Sequence, residues 1–114
     1  MSKLLGPDHV SQIQYSYAWY NILHRNYDHA LRILEKLIQK DVVPSDYFII
    51  SEIKWLLGNP DAVDHFKAGI VKYGYFPEEV IADINVFELF NLVNKQQVRE
   101  LLNMLKHFEN EVRS

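Results

Sequence analysis

Apolar residues recur at spacings of three and four along most of this chain, and Pro, Gly, Asn and Asp mark the breaks between the runs. After Pro7-Asp8, Val10, Ile13, Tyr17, Tyr20 and Leu23 trace one face of a first helix. Asn26-Tyr27-Asp28 is a turn, and Ala30, Leu31, Ile33, Leu34, Leu37 and Ile38 follow with strong helical periodicity. Val43-Pro44 stops that run, because a residue before proline is pushed out of the α region. Ser45 or Asp46 can cap a third helix carrying Tyr47, Ile50, Ile53, Trp55 and Leu57. Gly58-Asn59-Pro60-Asp61 is the strongest turn: Gly58 suits the left-handed position after a helix, Asn59 a cap, and Pro60 the first helical position. A fourth helix with Ala62, Phe66, Gly69, Ile70 and Tyr73 ends at Gly74-Tyr75-Phe76-Pro77.

Beyond that point, Glu78-Glu79 open a short fifth helix, their charge complementing its dipole. Asp83 to Val93 reads as a turn and another short helical piece. Asn94 and Gln97 have the spacing of a capping box, and Val98, Leu101, Leu102, Leu105, Phe108 and Val112 form the stripe of a last amphipathic helix. No stretch sustains the alternation of a half-buried strand. The expectation is an all-α domain of six helices in total.

The first 75 residues look like two copies of one unit. Ala30 and Ala62 are 32 residues apart, and Ala18 and Ser51 are 33 apart. Small side chains at Ala18, Ala30, Ser51, Ala62 and Gly69 let helix backbones approach, while Tyr17, Leu34, Ile50 and Phe66 fill the space beside them. A two-helix unit at this period is a solenoid signature. On these residues the chain resembles the tetratricopeptide-repeat family. The resemblance implies a right-handed α-α superhelix with one hairpin over about 8–41, a second over about 45–74, and a cap over about 77–112, making 1–114 a single domain. Gly74-Tyr75, Asp83, Phe87, Leu89 and Leu101-Leu102 are similar to the segment that closes many bacterial repeat arrays. A solenoid needs such a cover over the apolar edge of its last hairpin.

Composition agrees with one globular domain. The chain has 114 residues, 48% apolar and 24% charged, with seven Tyr, six Phe and two Trp. A net charge of −3 lacks the basic footprint of a nucleic-acid binder. The absence of Cys removes disulfides and thiolate metal sites. Two large apolar residues before Gly6-Pro7 do not make a secretory signal, and no apolar run approaches the roughly 18 residues of a membrane span. A cytoplasmic protein without a membrane segment is expected.

No familiar catalytic set is present. His9, His24, His29, His65 and His107 include no i,i+4 pair. Asp61, Asp64 and His65 read as a solvated helix start, and His24 as a partner for the carbonyls ending the first helix. Glu78, Glu79 and Asp83 lack an accompanying base or nucleophile. Ser2, Ser11, Ser16, Ser45, Ser51 and Ser114 lie in no Gly-x-Ser-x-Gly context, and four glycines form no phosphate loop. No enzyme, metal or cofactor is expected.

In the repeat family the first helices of successive hairpins line a groove. The resemblance places Gln12, Tyr15, Trp19 and Ile22 there from the first unit, and Phe48, Glu52 and Trp55 from the second. Trp19 and Trp55 either line that groove or pack between hairpins and under the cap. The last helix either covers the second hairpin or pairs with another molecule. The implied function is a protein-interaction module, adaptor- or chaperone-like, holding a peptide or helix of a partner protein, as small tetratricopeptide chaperones of type III secretion do. A homodimer or assembly subunit joined through solenoid edges is the second expectation. An enzyme or small-ligand binder without a recognisable motif is the third.

Overall fold

The computed structural model describes residues 7–38 and 43–113, with side chains from Gln12 onward. The N-terminal six residues, the side chains of His9 and Val10, and the end of the first hairpin at 39–41 lie outside the described residues. Six helices follow one another: α1 (Pro7–Leu23), α2 (Tyr27–Ile38), α3 (Pro44–Leu56), α4 (Ala62–Tyr73), α5 (Glu78–Leu89) and α6 (Lys95–Arg113). There is no strand among the described residues.

The turns work through local chemistry. Arg25 takes a left-handed φ of 64° between α1 and α2, and the His24 Nδ1 lies 2.9 Å from the Tyr20 carbonyl oxygen. Gly58 (φ 72°) and Gly74 (φ 83°) end α3 and α4 in the conformation that only glycine adopts freely. The capping box at α6 is reciprocal: Gln97 N–H donates to Asn94 Oδ1 at 2.8 Å, and Asn94 N–H to Gln97 Oε1 at 2.9 Å.

Three boundaries differ from the sequence reading. Pro44 starts α3 instead of preceding it; Val43 is extended before it, and Ser45 and Asp46 fall inside the first turn without capping. Pro is tolerated there because a first-turn N–H has no helical partner in any case. Pro60 and Asp61 form a tight turn ahead of α4, with the Asp61 N–H on Asn59 Oδ1 at 3.2 Å. Asp83 does not break the chain: α5 runs through it, and the turn comes after Phe90, where Asn91 takes φ 60°. Val80, Ile84 and Phe87, spaced i, i+4 and i+7 and all buried, hold α5 helical against the core.

The small residues of the repeat sit where helices approach. Ala18, Ala30 and Ser51 are fully buried, and Ala62 and Gly69 nearly so. A Cβ on Gly69 would lie 2.6 Å from Tyr47 Cε1 and 2.9 Å from Phe48 Cε1, so α3 and α4 pack this closely only over a glycine. The centre is α3, in which six successive residues from Phe48 to Ile53 are buried, as for a helix covered on every side. Phe48, Phe66 and Phe87 are the largest fully buried side chains, each contributing about 2–3 kcal/mol by removal from water.

In α1 the pattern and the packing disagree. Ile13, Tyr17 and Tyr20, which trace its apolar stripe, are 58%, 51% and 55% exposed. The buried side runs through Ala18, Asn21 and Ile22. No charged residue lies between Asp8 and Arg25, so periodicity has no polar face to detect. Close approach at Ala18 and Ala30 then decides which side meets α2.

The third helix pair is seated unlike the second. α3 packs against α2, the last helix of the pair before it, whereas α5 packs against α3 and α6 against α4. Val98, Leu101 and Leu105 of α6 are buried, so this helix covers the second hairpin. Phe76 N–H donates to Glu109 Oε2 at 3.2 Å, and Lys67 Nζ lies 5.3 Å from the Phe108 ring centroid. The molecule measures 48 × 32 × 21 Å. Its short axis matches two helix diameters of about 10 Å, hence two layers.

Candidate functional site

The seven residues that the resemblance assigns to a groove separate in three dimensions. Phe48 points into the second hairpin, packed near Phe66 and Tyr73 with ring centroids 6.5 and 6.1 Å away. Ile22 is likewise 0% exposed and belongs to the core. Neither forms part of an open wall. Gln12 is exposed, and Tyr15, Trp19 and Trp55 are half-buried against the core.

The side of α3 and α1 assigned to the groove, its inner face, is met by the chain's own α5, which packs on α3 and reaches α1 through contacts of Trp19 and Arg25. The Trp19 ring meets Phe87 with centroids 5.5 Å apart at an angle of 35°. Arg25 Nη2 donates to the Asn91 carbonyl at 3.3 Å, tying the end of α1 to the turn after α5. One end of the face stays open as a depression of about 390 Å³ lined by Gln12, Tyr15, Ser16, Leu37 and Asp46.

Under α5 lies Glu52. It is 0% exposed, and both its carboxyl oxygens lack a hydrogen-bond partner of ordinary geometry. Asp83 of α5 lies close enough to influence it electrostatically. Burial first, then the nearby Asp83 and Glu79 charges, pushes the Glu52 carboxyl well above the usual carboxylate range. Burial also raises Asp83, to about 6. Both carboxyls are thereby biased toward the protonated form. Beside them, burial pushes the Tyr15 phenol up to about 12 despite the Trp19 indole N–H at its oxygen, and the Asp83, Glu52 and Asp46 charges add to the rise. Burial raises Asp46 as well.

A second polar cluster joins α3 to α4. Ser51 Oγ and His65 Nδ1 are hydrogen-bonded at 2.5 Å, and Tyr47 stacks on the His65 ring at 4.3 Å. Burial, then the Lys54 charge, lowers the His65 pKa against a smaller opposing effect of Asp61. The pairing has the residue types of a nucleophile and base, but Ser51 is 0% exposed, so a substrate carbonyl has no route to its hydroxyl. It joins two helices.

Among the described residues no group of three or more His, Asp or Glu side chains is placed to hold a metal ion, and no helix is long and apolar enough to cross a membrane. Sequence reasoning missed Asp83 and Phe87 as parts of this face. The signal was present in Val80, Ile84 and Phe87, whose period runs through Asp83 without a break. No protein-family model, curated protein or solved structure matches the chain.

Proposed function

We propose that this chain is a non-catalytic, tetratricopeptide-like interaction module of the cytoplasm that takes a helix or peptide of a partner protein on the inner face of α1 and α3. One observation carries the reading: that face already seats a helix, α5, through Phe87 on Trp19 and a buried Val80-Ile84-Phe87 stripe. A surface that packs one such helix has the shape and aromatic cover to pack another. The open end beside Gln12 and Tyr15 gives an incoming segment a place to start. The test compares partners retained by the native chain with those retained by a Trp19→Ala/Trp55→Ala double variant whose helical content is intact. A folded variant that keeps every partner removes the reading.

A second reading rests on the exposed stripe of Ile13, Tyr17 and Tyr20. Tyr17 stacks near Tyr20 at 6.2 Å and meets His29 edge-on at 5.7 Å, forming an uncharged aromatic edge on the first hairpin. Such an edge suits pairing with a second copy, because like meets like without charge repulsion. Light scattering across a concentration series decides it, and a monomer throughout removes it.

A further inference from the structure

The ends of the helices repeat more closely than their side chains do. α1, α3 and α5 each stop at a residue in the left-handed region: Arg25 (φ 64°), Gly58 (φ 72°) and Asn91 (φ 60°). Successive members of this set are 33 residues apart. The hydrogen bonds that close the three helices are the same. Asn26, Asn59 and Leu92 N–H donate five residues back, to the Asn21, Lys54 and Phe87 carbonyls at 2.8, 2.9 and 2.8 Å. This sets α1 against α3 residue for residue, with Ala18 on Ser51, both 0% exposed. Ser16, Tyr17 and Tyr20 then fall on Ile49, Ile50 and Ile53. The three isoleucines are buried, whereas Ser16, Tyr17 and Tyr20 are exposed. The difference is a neighbour. α3 packs on α2, α4 and α5. It turns Tyr47, Ser51 and Lys54 toward α4 and its leading turn, and Glu52 and Trp55 belong to the inner face that α5 meets. The isoleucine side is left to α2. On α1 the same side reaches only an edge of α2, where Tyr17 meets His29.

We propose that the outer side of α1 is the seat of a partner protein's helix, which lies on Ile13, Tyr17 and Tyr20 as α2 lies on Ile50 and Ile53 of α3. In a stack of helix pairs each pair is covered by its neighbour, so an uncovered first helix presents a ready-made surface for one more helix. The chain itself describes the helix that fits. α2 carries Tyr27, Leu31, Leu34 and Ile38 in one stripe, all buried or half-buried. The partner is therefore an amphipathic helix with apolar residues at i, i+4, i+7 and i+11. No Asp, Glu, Lys or Arg lies between Asp8 and Arg25, so covering this side of α1 strips no such charge of water. The tyrosine hydroxyls can stay at the rim of the contact, in reach of water or of the partner's polar edge. A second copy fits less well. Its last helix, α6, is in step with α2 through buried Leu34 and Val98, and there Lys95 takes the place of Leu31 and interrupts the stripe. The proposal extends the interaction-module reading to a second face and uses none of the inner-face residues.

The test selects binders of the full chain from a phage-displayed library of helix-forming peptides, long enough to carry the whole stripe and random along one face. Enriched peptides are then synthesised and titrated calorimetrically. The expected winners carry the i, i+4, i+7, i+11 apolar stripe. They should bind at least about tenfold more weakly to Tyr17→Glu/Tyr20→Glu, and more weakly to Ile13→Glu, while Trp19→Ala/Trp55→Ala binds them as the native chain does. All three substituted positions of the outer side are more than half exposed, so these variants keep the core, and circular dichroism checks their helical content. No enriched peptide, winners without the stripe, or winners indifferent to Tyr17→Glu/Tyr20→Glu overturn the proposal. Winners lost only with Trp19→Ala/Trp55→Ala overturn it as well and leave the inner-face reading standing. Self-association of the native chain that Tyr17→Glu/Tyr20→Glu abolishes assigns this side to a second copy and overturns the partner helix. The outer and inner faces thus fail separately.

Discussion

Trp19 lies against Phe87 with ring centroids 5.5 Å apart, which joins α1 directly to α5 across the inner face. Phe87 is 0% exposed, whereas Trp19 keeps one side open to water. The contact therefore matters unequally to the two residues. Phe87→Ala should cost about 3–5 kcal/mol, as for a fully buried aromatic. Trp19→Ala should cost less. Their double-mutant cycle should show a coupling of about 0.5–1.5 kcal/mol in chemical denaturation, and additive losses would deny the contact.

Gly69 is the tightest point between α3 and α4. Alanine is the better helix former by about 1 kcal/mol, yet a Cβ there would come within 2.6 to 2.9 Å of Tyr47 and Phe48 ring atoms. Overpacking at such a site costs about 1–3 kcal/mol, so Gly69→Ala should lower the thermal midpoint by several degrees. An unchanged or higher midpoint would show that the two rings move aside freely.

Stability should fall as pH rises from the acid side. Glu52 and Asp83 have folded-state values above their ordinary ones, so the folded state binds protons more strongly than the unfolded chain. Their contribution is complete below the ordinary carboxylate range. The Asp83 part is lost as pH climbs through about 6, and the Glu52 part as pH climbs through its own raised value. Denaturation midpoints followed upward from about pH 5 should decline with pH in the native chain and decline less in Glu52→Gln.

His65 acts in the opposite direction. Its lowered pKa means the folded state favours the neutral ring, so its contribution is present above its ordinary value of 6.5 and is lost on acidification below it. Acidification from pH 6.5 to about 5 should favour His65→Gln relative to the native chain, the difference between the two growing as pH falls. Parallel profiles for the two proteins would contradict the buried, neutral imidazole.

Asn94 and Gln97 satisfy each other's backbone N–H at the start of α6. Asn94→Ala should cost about 1 kcal/mol. Amide exchange should rise chiefly in the first turn of α6, with α3 unaffected. Uniform loss of protection would instead mean that this turn opens only with the whole fold.

The six-helix, all-α architecture was legible because its signals are local. Apolar spacing in α2, α4 and α6, glycine at Gly58 and Gly74, and the Asn94–Gln97 box all act within a few residues. The small residues Ala18, Ala30, Ser51, Ala62 and Gly69 were legible too, since their spacing repeats.

Tertiary structure alone decided which face of α1 is buried and what covers the inner face. An uncharged helix has no polar side to read, so packing at Ala18 left Ile13, Tyr17 and Tyr20 in water. Asp83 carries turn propensity by itself, but burial of Val80, Ile84 and Phe87 keeps α5 helical through it. Ile22 and Phe48 became core, and Glu52 became a buried acid, because α5 turns back onto α3 while α6 takes the neighbouring place against α4. That choice depends on contacts between residues far apart in the chain, such as Trp19 with Phe87. No local spacing encodes them; only the burial of apolar surface on both partners at once selects that arrangement.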